Sequence, residues 1–308
     1  MGAAHSHSGN DGHAHGAGHA HAHAPKDFGR AFAIGVILNT AFVIVEATYG
    51  FLSGSMALVA DAGHNLSDVM ALLLAWAAAV AARKPATGRY TYGFKSSTIL
   101  AAIANAALLF IAVGAILFET AQRLLDPQPV EGWTMIVVAG IGVVINTATA
   151  LLFVRGQEDI NIRGAFLHMA ADALVSVGVV VAGAAILLTG RQWIDPVTSL
   201  LIIAVIGWGT WGLARDSLKM GLNAVPAGID EKEVQGFLTS LDGVERVHDL
   251  HIWPMSTTET ALTAHLVMPG GNRGDAFLAS LSHDLEHRFG IHHMTVQIER
   301  TEQCAGGC

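Results

Sequence analysis

Residues 56–82 read MALVADAGHNLSDVMALLLAWAAAVAA, and residues 164–188 read GAFLHMAADALVSVGVVVAGAAILL. Both are apolar runs close to the ~20 residues that cross the hydrocarbon core of a bilayer. Each carries one polar pair at the same spacing: His64 and Asp68 in the first, His168 and Asp172 in the second. A four-residue step puts both side chains of a pair on one helix face, a turn apart. Ionisable groups are costly at membrane depth and mark pathways or binding sites. Two imidazoles and two carboxylates make four ligands, a set suited to a divalent metal such as zinc.

The rest of the chain agrees with a membrane setting. It has 308 residues, 52% hydrophobic and only 14% charged, where a soluble domain carries about 25% charged residues. Further apolar stretches near 31–52, 98–121, 133–154 and 195–214, joined by short connections, complete six candidate spans. Trp133, Trp193, Trp208 and Trp211 lie toward segment ends, where an aromatic belt is expected. In a six-span arrangement ten Lys/Arg, Lys26, Arg83, Arg155 and Lys219 among them, fall on one side, and only Arg123 and Arg191 on the other. The first side is therefore expected to be cytosolic, giving a multi-pass cell-membrane protein with both termini inside. Span two then runs inward and span five outward, so His64 should be level with Asp172, and Asp68 with His168. The four groups would form a tetrahedral His2Asp2 site near mid-membrane, with one carboxylate per helix offsetting the metal's charge. Asp61, nearer the outer end of span two, reads as structural or as part of the access route. Glu46, Asn39, Asn105 and Asn146 read as interhelical hydrogen-bonding groups.

The flanks differ from the spans. Residues 1–25 hold seven histidines among Gly, Ala and Ser, which reads as a disordered, metal-collecting tail. They lack the apolar core of a signal peptide. After Lys219 the hydropathy falls, and Pro226 marks a boundary. IDEKEVQGFLTSL (229–241) reads as an amphipathic helix, and VERVHDLHIWPM (244–255) and TALTAHLVMP (260–269) as strands. DAFLASLSHDLEHRF (275–289) reads as a second helix and HMTVQIE (293–299) as a third strand. The order αββαβ predicts a small ferredoxin-like α+β unit with its helices on one sheet face. The expected organisation is a tail (1–25), a six-helix membrane domain (26–225), a cytosolic domain (226–300) and a flexible end (301–308). From Ala227 onward five Lys/Arg face twelve Asp/Glu, which argues against nucleic acid and favours cations. The two cysteines, Cys304 and Cys308, imply no disulfide framework. They read either as a frayed end or as a metal-collecting thiol pair.

ADAGHNLSD (60–68), HMAADALVS (168–176), RYTYGFKSS (89–97), HDLHIW (248–253) and the His-rich N-terminus together resemble the cation diffusion facilitator family, its zinc-transporting branch above all. The resemblance covers roughly residues 28–300. It implies a homodimeric exporter that moves divalent metal out of the cytosol against inward protons. His/Asp pairs in both helices resemble zinc and cadmium carriers. Imidazole suits zinc, and the affinity series leaves cobalt and nickel open. The resemblance also implies that His248 and His265 occupy metal-binding positions of the tail domain and Glu299 that of an acidic ligand. These three would make a regulatory zinc site, completed by an N-terminal histidine or Cys304. For His251 it implies packing or a dimer contact. His283 and His287 read as an exposed helix face, and the loop 83–95, without histidine or acid, as free of metal.

Metal binding needs neutral imidazole and ionised carboxylate, and histidine titrates near neutrality. Proton uptake outside and proton release inside, with alternating access around a midplane site, would complete the cycle. The chain has neither the HExxH of a zinc hydrolase nor the GxxxxGK[ST] loop of an ATP-driven pump. The expectation is a secondary active transporter and not an enzyme. The alternative is a membrane metal sensor that binds zinc without moving it.

Overall fold

The computed structural model describes residues 30–152, 160–271 and 273–301. The expected His-rich tail and Cys304/Cys308 lie outside the described residues. Helices α1 (Arg30–Ser53), α2 (Met56–Ala82), α3 (Ser97–Leu125), α4 (Gly132–Leu152), α5 (Ile160–Thr189) and α6 (Ile194–Gly221) fall on the six apolar stretches. Among the described residues, α2 to α6 are each long and apolar enough to cross a membrane. The sixth expected span coincides with α1, 24 residues long.

The helix ends differ from the apolar stretches in an informative way. α2 begins and ends with its apolar run, but α6 continues to Gly221 through ARDSLKMG. Backbone hydrogen bonding propagates a helix at little cost once it is nucleated, so α6 outlasts its hydrophobic stretch.

Lipid offers no hydrophobic drive between helices, so small residues and hydrogen bonds hold such a domain together. α4 and α5 pack most extensively on each other, and α3 packs on both α2 and α6. At the α4–α5 contact, a Cβ on Gly132 would meet the Gly183 carbonyl oxygen at 2.8 Å, and one on Gly183 would meet the Gly132 oxygen at 2.9 Å. Neither position has room for a side chain.

Asp195, in the first turn of α6, is fully buried against the start of α2. Its carboxylate accepts from Ser55 Oγ at 2.6 Å and from the backbone N–H groups of Met56 at 2.8 Å and Ala57 at 3.2 Å. An acid on the unpaired N–H groups of a helix N-terminus is favourable in both charge and hydrogen bonding. Thr120 and Ser199 hydrogen-bond at 3.0 Å beside it, and the Arg123 guanidinium donates to the Gly54 carbonyl. The start of α2, the end of α3 and the start of α6 are thereby joined.

The C-terminal unit contains α7 (Glu231–Thr239), β1 (Arg246–Pro254), β2 (Thr260–Val267), α8 (Asp275–Phe289) and β3 (Ile291–Glu299), the expected αββαβ order. Its sheet has the order β1-β2-β3, with β1 antiparallel and β3 parallel to β2. Alternation sends Val247, Ile252, Leu262, Ala264, Leu266 and Met294 toward Val234 and Leu238 of α7 and Leu281 and Leu285 of α8, forming one core. Each fully buried leucine contributes about 1.5–3 kcal/mol. Asp230 caps α7 by accepting from Lys232 N–H at 2.8 Å. Gly290, at φ 67°, ends α8 in the left-handed conformation that glycine adopts without steric cost.

This unit docks on the N-terminal end of α3. Lys95 pairs with Glu259, Ser96 Oγ donates to the Met255 carbonyl at 3.3 Å, and Thr257 N–H donates to Thr98 Oγ1 at 3.1 Å.

Candidate metal sites

Two clusters of metal-type donors occur among the described residues, one between helices and one on the sheet. In the first, the helical repeat sets His64 and Asp68 on one face of α2, with His64 Nε2 3.8 Å from Asp68 Oδ2. Asp172 of α5 approaches from across the interface, its Oδ1 3.2 Å from His64 Nε2. Donor atoms of the three residues lie within 4.8 Å of one another. Asp172 is buried, while His64 and Asp68 are half-buried. His168 lies one turn before Asp172 on α5, and its side chain is outside the described residues.

A second cross-contact fixes the direction of the helices. Ser176 Oγ of α5 donates to Asp61 Oδ2 of α2 at 3.0 Å. Moving back along α2 from His64 to Asp61 moves forward along α5 from Asp172 to Ser176, so the helices run antiparallel. Beside them, Asn65 Nδ2 donates to Glu46 Oε2 of α1 at 3.2 Å. Asp61 and Glu46 thus act in tying α2 to α5 and α1. Asn105 and Asn146 are buried as expected of interhelical groups. The expected bonding is incomplete, however: Asn39 Oδ1 and Asn146 Nδ2 find no hydrogen-bond partner among the described residues.

The second cluster lies on the sheet face opposite α7 and α8. His248 of β1 stands across from His265 of β2, and Val267 pairs with Glu299 of β3. Strand alternation therefore puts the three side chains on one face. Glu299 receives both rings, with His248 Nε2 3.2 Å from its Oε2 and His265 Nδ1 3.0 Å from its Oε1. The imidazoles meet edge to face at 5.0 Å. Gln297 Nε2 donates to Glu299 Oε1 at 2.8 Å and steadies it. Two imidazole nitrogens and one carboxylate fit a zinc-type ion. His283 and His287 pair their rings at 4.2 Å on the exposed face of α8. His251 is largely exposed and lies 2.9 Å from Asp249 Oδ1.

Residues 32–220 match the cation efflux transmembrane domain, and residues 226–301 match the cytoplasmic domain of cation efflux proteins. The chain belongs to the cation efflux family. Among cation efflux relatives, it is 37% identical to the metal cation efflux system protein CzcD of Cupriavidus metallidurans, over 97% of this chain and 90% of that protein. It is 36% identical to the zinc transporter ZitB of Escherichia coli, over 87% and 86% of the two chains. It is 34% identical to a cadmium, cobalt and zinc/H(+)-K(+) antiporter of Bacillus subtilis, over 88% of each. Both clusters fall inside the matched cation efflux domains.

Sequence reasoning missed two carboxylates. Asp195 caps a helix 139 residues away in sequence. Its only local signals are a capping-type serine before α2 and an Asp-Pro pair at the start of α6. Asp249 lies between two singled-out histidines, but a break in strand alternation there hides its direction.

Proposed function

We propose that this cation efflux protein exports zinc in exchange for protons, by alternating access around His64, Asp68, His168 and Asp172. The observation that carries the reading is the meeting of His64, Asp68 and Asp172 between two apolar, antiparallel helices. The register set by His64 with Asp172 and Asp61 with Ser176, extended one turn inward, brings Asp68 to the level of His168. The fourth ligand is assigned on that register. The names of the relatives, which mention zinc, cadmium and cobalt, metal cation efflux and H(+)-K(+) antiport, support zinc as substrate with cadmium and cobalt as further candidates, and the affinity series adds nickel.

The coupling follows from shared ligands. Zinc binds neutral imidazoles and ionised carboxylates. The same atoms bind protons, so proton and metal exclude each other at the site. Outside, protonation expels zinc; inside, deprotonation restores the ligands. Two carboxylates neutralise the ion, which keeps the loaded site tolerable in a low-dielectric setting.

The cytosolic orientation of both termini, the homodimer, and the division at residues 26–225 and 226–300 belong to the same reading. So do the ferredoxin-like description of the αββαβ unit and a regulatory zinc on His248, His265 and Glu299. Proteoliposomes loaded with a zinc-sensitive dye test the export reading. With the side corresponding to the cytosol charged with zinc and the opposite side acidic, zinc flux and proton counterflux should rise together. Saturable zinc binding with no flux would establish a sensor in place of a carrier.

A further inference from the structure

The bulge in β1 gives Asp249 a direction that regular strand alternation would deny it. The pairing of β1 with β2 shifts register between His248 and His251. Asp249 there adopts φ 50°, a left-handed conformation that aspartate tolerates better than most residues. In an unbroken strand, the residue after His248 would face the helix-packed core. Here Asp249 instead reaches the histidine face, with Oδ2 3.6 Å from His265 Nε2 and Oδ1 2.9 Å from His251 Nε2.

The His265 ring therefore has a carboxylate on each side, 3.0 Å from Nδ1 and, at ion-pair range, 3.6 Å from Nε2. Nδ1 faces Glu299 and, through it, His248, while Nε2 faces Asp249. We propose that Asp249 is the positioning residue of the cytosolic metal site, holding the Nε2–H side of His265 so that Nδ1 faces the metal. This rests on the reading of His248, His265 and Glu299 as that site's ligands. With a metal on Nδ1, the remaining ring proton resides on Nε2, on the side of Asp249. A carboxylate at that position fixes tautomer and ring angle and strengthens the ligand. Asp249 does not itself ligate the same ion, because it lies on the opposite nitrogen of the ring. His251, on the other carboxylate oxygen, steadies Asp249 in turn.

The test uses the full-length purified chain carrying Asp68→Ala and Asp172→Ala, titrated with zinc against a chelating dye. The binding step lost on adding His248→Ala defines the cytosolic site. Asp249→Ala should weaken that step about 10–100-fold, the usual cost of removing such a partner. Asp249→Asn, whose side-chain oxygen can accept from Nε2–H, should restore most of it. Asp249→Gly is the decisive variant, since it keeps the left-handed bulge and deletes the carboxylate. It should bind as weakly as Asp249→Ala, and the His265 ring of the zinc-loaded protein should lose its single Nε2–H signature in ¹⁵N NMR. Wild-type affinity in Asp249→Gly, with the step still lost in His248→Ala, would overturn the positioning role alone. No step lost in His248→Ala would overturn the site and the positioning role together.

Discussion

The intramembrane cluster and the cytosolic cluster use nearly the same chemistry in opposite settings. Each brings imidazole and carboxylate donors within 4.8 Å of one another. The first draws them from two helices that must hold ionisable groups at membrane depth. The second draws them from three strands on a sheet face, where His265 keeps 28% of its side-chain surface exposed. Ligand type alone therefore does not assign a role. A site between two antiparallel helices can change its exposure when the helices move. A site across hydrogen-bonded strands is fixed by the ladder and reports occupancy to whatever the sheet touches. Here the turn between β1 and β2 touches the residues just before α3 through Glu259 and Lys95, which on the proposed reading would let the cytosolic cluster influence the helices without carrying the substrate.

Breaking the comparison at its membrane end has the largest expected effect. His64→Ala or Asp172→Ala should reduce proton-driven zinc flux to the level of protein-free vesicles. The cytosolic binding step should survive in the same protein, as measured by zinc titration. Breaking it at the cytosolic end sharpens the contrast. Glu299→Ala should cost that step more than the roughly 100-fold ceiling typical of an orienting partner, while flux at saturating zinc persists. A smaller effect belongs to the scaffold that both ends share. Asp195→Ala removes three hydrogen bonds at the start of α2 and should lower stability by about 2 kcal/mol, read as a lower unfolding temperature in detergent. Zinc affinity of the folded protein should be unchanged. A loss of affinity equal to that of His64→Ala would mean that Asp195 belongs to the site rather than to its support.

The two regions also differ in how much of them could be read from the sequence. The 3.6-residue repeat, the length of the apolar runs and the HxxxD spacing are local features. They were enough to outline α2 as Met56–Ala82 and to set His64 opposite Asp172. The tail helix Asp275–Phe289 was equally legible, because its apolar period is unbroken and Gly290 ends it. His248, His265 and Glu299 were grouped by the resemblance, since strand alternation alone allows many such faces. What escaped was non-local or irregular. Asp195 reaches the start of α2 from more than a hundred residues away, a pairing that no window of sequence displays. Asp249 depends on a one-residue break in alternation, and a bulge reverses the face that the period predicts. Glu46 and Asp61 were recognised as polar and intramembrane, but their particular partners, Asn65 and Ser176, required the packing of α1, α2 and α5.

The claim on which the comparison turns is that zinc resides between α2 and α5 as well as on the sheet. Anomalous diffraction at the zinc edge, from crystals of the full chain grown with zinc, measures this directly. The account predicts one peak bounded by His64, Asp68, His168 and Asp172 and a second bounded by His248, His265 and Glu299. A peak at the cytosolic cluster with none between the helices, in a protein that still transports zinc, would contradict it.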